Sequence, residues 1–135
     1  MNPLKLRTKS VYSDIEPTQD GLRILTTRYR GRGMSADRYD VWMANLGPSE
    51  ALLKRWQSGT ITWGQYVRLY RAQLFENPPL DQENLLIKNH GQKFTLRLLK
   101  NLASRQTVTL MCHCREDEPH CHRHVLQKLI LSNAI

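Results

Sequence analysis

A chain of 135 residues with a formal net charge of +8 has room for one modest core, so a single domain is expected. Hydrophobic residues at 40% and charged residues at 24% exclude a disordered or fibrous chain, and no apolar run approaches the roughly 20 residues that cross a bilayer. The positive balance, spread along the chain, favours an acidic partner: a small anionic ligand or nucleic acid, with no membrane.

The opening stretch, Met1 to Arg7, lacks the apolar core of a secretory leader, so a cytoplasmic protein is expected. Residues 4–8 alternate apolar and basic, which predicts a first strand with Lys5, Arg7 and Lys9 on its outer face. Ser13 to Gly21 has turn chemistry throughout. Arg23 to Thr27 predicts a second strand, paired with the first. The loop that follows, Arg28-Tyr29-Arg30-Gly31-Arg32-Gly33, combines close-approach glycines with guanidinium groups suited to phosphate or carboxylate. It lacks the spacing of a Walker loop or a dinucleotide fingerprint, so no nucleotide cofactor follows from it.

Tyr39, Trp42, Met43 and Leu46 fall at helical spacing and predict a helix stopped by Gly47-Pro48. Ser49 is the expected cap of a short helix running through Trp56 and closed by Gly59. Thr62 and Gln65 form a capping box, after which Trp63, Tyr66, Val67, Tyr70 and Leu74 make one continuous apolar stripe. Pro78-Pro79 ends that helix, a polar stretch containing a surface His90 follows, and Phe94, Leu98, Leu99 and Leu102 predict another helix.

The last third is the most informative. Thr107 to Met111 reads as a buried strand, with Cys112-His113-Cys114 at its carboxyl end. A polar hexapeptide leads through Pro119, placed for a first helical turn, into a closing helix whose inward stripe holds Cys121, His122, Val125, Leu126, Leu129 and Ile130. The expected class is therefore α/β: one compact domain, a small sheet of short strands flanked by helices, and a Rossmann-like strand-loop-helix at the C-terminus. Such folds bind ligands beyond the carboxyl ends of their strands.

Seven of the thirteen positions from Cys112 to His124 are Cys or His. Strand alternation sends Cys112 and Cys114 to one face and His113 to the other, and Cys121 and His122 open the helix facing back toward them. His120, Arg123 and His124 are expected on the rim. Three uses compete. Cys112, Cys114, Cys121 and either His122 or His124 make a Cys3His zinc set. Alternatively, Cys121, ahead of Cys112, is a nucleophile whose thiolate is favoured by the helix N-terminus and the flanking Arg123 or His122. In the third, the cysteines are small buried hydrophobes.

The stretch from Arg23-Ile24-Leu25 through Arg32-Gly33, the run from Leu46 to Leu53, the Trp63–Leu74 helix and the Cys121-His122-Arg123 helix start together resemble the YeaO-like family of domains of unknown function, DUF488. The resemblance covers nearly the whole chain. It implies a compact α/β domain with a short sheet and surrounding helices, and supplies no activity. The expectation is a pocket at the strand ends for a small phosphorylated or nucleotide-type ligand. Arg28, Arg30, Arg32, Gly31, Gly33 and Arg123 would bind it, and Cys112, Cys121 and His122 would supply the chemistry. Two non-enzymatic alternatives are a nucleic-acid-binding module and a zinc-stabilised interaction domain.

Overall fold

A computed structural model describes residues 3–84, 86 and 90–135; Met1, Asn2 and part of the polar stretch after Pro79 lie outside the described residues. The strands are β1 (Leu6–Ser10), β2 (Leu22–Leu25), β3 (Val41–Trp42) and β4 (Val108–Cys112). The helices are α1 (Pro17–Asp20), α2 (Glu50–Gln57), α3 (Trp63–Leu74), α4 (Pro79–Gln82), α5 (Lys93–Ala103) and α6 (His122–Leu131). No helix among the described residues is long and apolar enough to cross a membrane.

All three strand pairings are parallel, in the order β1-β4-β2-β3. The expected pairing of the first two strands is therefore corrected. The strand from the far end of the chain lies between them, because its VTLMC run is apolar enough to be buried at every position. Alternation along β2 and β4 then builds two unequal cores. Ile24, Val108 and Leu110 face the large cluster formed with Leu52, Tyr66, Tyr70, Leu96, Leu99 and Leu126. Leu25 and Met111 face a small one with Val11 and Met34.

Several local expectations hold because their chemistry is short-range. The Ser49 hydroxyl accepts the Leu52 amide, and the Thr62–Gln65 capping box closes in both directions. Others fail for tertiary reasons. The helix expected over residues 39–46 is instead an edge strand between two single 3-10 turns, Ala36–Arg38 and Ala44–Leu46. The free edge of β2 captures the segment: the Asp40 and Met43 amides donate to the Arg23 and Leu25 carbonyls, and the Trp42 indole donates to Thr27.

The first strand runs from Leu6 to Ser10 rather than over 4–8. Lys9 is not on its outer face but buried, its ammonium 3.0 Å from the fully buried Asp20 carboxylate. Asp20 comes from α1, a short helix inside the segment read as turn alone. On α5 the buried stripe is Leu96, Leu99 and Ala103, leaving Phe94 and Leu98 exposed.

Candidate functional site

β2 and β4 lie side by side and end at the same edge of the sheet, so the loops that leave them meet. Cys112 is the last residue of β4 and fully buried. Two residues on, the Cys114 amide donates to the Cys112 sulfur at 3.3 Å. Cys121 is the N-cap of α6, one residue ahead of the helix, so Pro119 lies outside the first turn where it was expected. Its Sγ is 2.7 Å from that of Cys112. All three sulfurs lie within 4.8 Å of one another. Cys112 and Cys121 are buried, and Cys114 is half-buried.

Arg123, expected on the rim, is completely buried. It is the second residue of α6 and reaches under the preceding loop. One terminal nitrogen donates to Cys112 Sγ at 2.8 Å and to the Cys114 carbonyl at 3.3 Å. The other donates to the carbonyls of Arg115 and Glu116. Among the described residues no carboxylate pairs with it. An uncompensated buried guanidinium costs several kcal/mol, on the order of the desolvation of one ion. The thiol cluster beside it is the group that can carry the opposite charge.

The three thiols share that charge unequally. The neighbouring Cys112 and Cys121 thiols hold Cys114 far below the ordinary range, while Cys112 Sγ is the sulfur that accepts from the Arg123 guanidinium and from the Cys114 amide. Cys114 beside it pushes Cys112 up to about 11, and Cys121, buried against the other two sulfurs, is driven higher still. His122 is buried, which lowers it to about 4 and leaves it neutral. Its Nε2 lies 2.8 Å from the Thr26 carbonyl, which can only accept, so the ring proton sits there. Nδ1 is then the free lone pair, 3.8 Å from Cys121 Sγ.

The arginine-glycine loop does face this cluster. His113 points away from the sulfurs, as strand alternation requires, and its Nε2 meets the Arg30 carbonyl at 2.9 Å. Gly31, at φ 100°, lies so close that a Cβ would sit 3.0 Å from the His113 ring. The arginines do not converge. Arg28 donates to the Gly47 carbonyl at 2.7 Å, Arg30 folds back onto Met34, and Arg32 and Gly33 are exposed. A cavity of about 320 Å³ opens between the loops, lined by Arg28, Tyr29, Glu50, Cys112, Cys114 and His122 among others.

Residues 6–134 match the family model described as the active DUF488-N3 subclade. The chain belongs to the DUF488 family. No curated protein and no solved structure matches it.

In this DUF488 domain His120 and His124 stand apart from the sulfurs: His120 stacks on Trp63, and His124 Nε2 meets the Glu118 carbonyl. The metal-ligand group that closes is the three cysteines, with His122 touching Cys121 alone. Sequence reasoning missed Thr26, which orients His122, and the pair Tyr29–Glu50, joined at 2.9 Å over the cavity. Two hydroxyls at the end of a buried strand, Thr26 and Thr27, were the available sign of the first. Nothing local marked the second, because its partners meet only through packing.

Proposed function

We propose that the cavity at the ends of β2 and β4 is a thiolate active site for a small phosphorylated or nucleotide-type ligand, with Cys114 Sγ as the attacking atom. The observation that carries this reading is the buried Arg123 guanidinium, 2.8 Å from the sulfur of Cys112 in the same thiol cluster and without a carboxylate partner among the described residues. Cys112 and Cys121 then flank the attacking sulfur, and neutral His122 offers Nδ1 to the Cys121 thiol. Cys114 is the least buried of the three and opens on the cavity, so it takes the role that position in the chain suggested for Cys121. The cavity volume falls in the range of small-ligand sites. Arg28 is the cation nearest to hand for an anionic group. The description of the matching family model as active agrees with an enzyme.

Alkylation of the reduced protein with iodoacetamide tests it. Cys114 should react first, at a rate nearly constant from pH 6 to 9, and saturating nucleoside monophosphate should slow the reaction in the wild type more than in Arg28→Ala. Rates that climb about tenfold per pH unit toward the ordinary thiol value near 8.5, equally at all three cysteines, would sink the thiolate. Absence of nucleotide protection at any concentration would remove the ligand.

The same sulfur triangle supports a second reading, a zinc centre. Three thiolates around a divalent ion leave one net negative charge, which Arg123 would offset. Tetrahedral zinc at about 2.3 Å from each sulfur spaces them about 3.8 Å apart, so Cys112 and Cys121 would have to open from 2.7 Å. Stoichiometric zinc in the reduced protein, with alkylation blocked until a chelator is added, would favour this reading over the first.

A further inference from the structure

The twelve acidic residues are unevenly placed: α3, α5 and α6 contain none of them. These helices pack side by side against the large core, α6 touching both α3 and α5. Between α3 and α6 runs an open groove of about 520 Å³. Trp63, Val67 and Arg71 line one wall at four-residue intervals, and His124, Gln127 and Lys128 line the other. No carboxylate lines it, and neither Arg71 nor Lys128 is engaged in an ion pair among the described residues.

One end of the groove carries a second feature. Tyr66, Trp63 and His120 form a ladder of stacked rings, 4.9 Å and 4.7 Å between successive centroids and within about 22° of parallel. The inner rungs are held by packing, since Tyr66 is buried. The outermost ring, His120, is exposed beside Pro119, which lines the groove. An exposed ring stacked on Trp63 and met edge-on by Trp56, at the head of a cationic trough, suits stacking by an unpaired base, with charges for the phosphates that follow it.

We infer that the α3–α6 groove binds single-stranded nucleic acid, with Arg71 and Lys128 on the phosphate backbone and His120 stacked on a base. A duplex keeps its bases paired and would leave His120 unused. This inference rests on residues outside the thiol cavity and is independent of the function proposed there.

Fluorescence anisotropy with labelled twelve-nucleotide oligo(dT) and oligo(rU) tests it. Two phosphate contacts give a salt slope of about −1.4, so affinity should fall about 7-fold between 50 and 200 mM salt. Arg71→Glu and Lys128→Glu should each weaken binding at least about 10-fold, and His120→Ala about 5-fold, one modest stacking contact. Arg97→Glu on α5 makes the same charge change away from the groove and should have little effect. The milder Arg71→Gln, with circular dichroism checked against wild type, separates lost binding from lost folding. No binding at 50 mM salt, equal loss from Arg97→Glu, an unaffected His120→Ala, or preference for duplex or for phosphatidylserine vesicles would each overturn the inference.

Discussion

Arg123 shows how much one buried charge can organise. Its guanidinium joins the Cys112 sulfur at the end of β4 to three carbonyls of the loop that follows, so the loop's shape and the thiol cluster depend on the same group. Arg123→Met keeps the volume and removes the charge. It should destabilise the protein by about 3 kcal/mol in urea unfolding, by leaving Cys112 Sγ and three loop carbonyls without their donor, and return cysteine alkylation to an ordinary thiol pH profile. A variant that unfolds like wild type and still alkylates at pH 6 would show that the charge is held elsewhere.

His122 makes a separate prediction at the same scale. Burial lowers it from 6.5 to about 4, so between those values the unfolded chain binds a proton that the native one refuses. The stability this contributes, about 3 kcal/mol, is fully present above pH 6.5 and is lost as pH falls toward 4. Urea midpoints measured from pH 7.5 to 4 should fall accordingly, and His122→Asn should flatten the curve. Equal slopes in the two proteins would assign the acid sensitivity to other groups.

At the scale of elements, what was legible followed from interactions spanning a few residues. Ser49, the Thr62–Gln65 box and the Trp63–Leu74 stripe each carry their own partners within one or two turns, so α2 and α3 could be read directly. The 39–46 segment could not. Its helical spacing was real, but a strand edge on β2 offered its amides better partners than a helix too short to bury its stripe. The contact between the two halves of the site was hidden for the same reason. Gly47 packs on the backbone after β2, where an added Cβ would lie 2.2 Å from the Arg28 amide nitrogen. Backbone cannot move aside as a flexible side chain can. Gly47→Ala should therefore cost about 1–3 kcal/mol and loosen the Arg28–Gly47 contact, visible as faster proteolysis or hydrogen exchange in the arginine-glycine loop. A variant as stable and as protected as wild type would mean that the loop has slack.

Across the whole molecule, strand order and charge distribution are the two properties that no local pattern held. β1 and β2 looked like neighbours because they adjoin in sequence, yet β4 enters between them from the opposite end of the chain. That insertion sets the cysteine-bearing strand beside β2 and so brings its loop against the arginines. Charge that reads as evenly spread along the chain becomes one-sided when three acid-free helices are laid together. The salt slope and the α3–α6 variants belong to this scale, since each base of the groove is unremarkable on its own helix.

Residue type and spacing by themselves determined that this chain is α/β, that its apolar VTLMC strand is buried, and that sulfur and imidazole groups gather where that strand stops. These follow from periodicity and from a hexapeptide too short to carry the cysteines far apart. Tertiary structure alone decided which thiols line the cavity, that Arg123 lies beneath the loop rather than on its rim, and which helices share a face. Those outcomes depend on burial and on contacts between distant segments, where the cost of an unpaired charge or an unbonded amide overrides local preference.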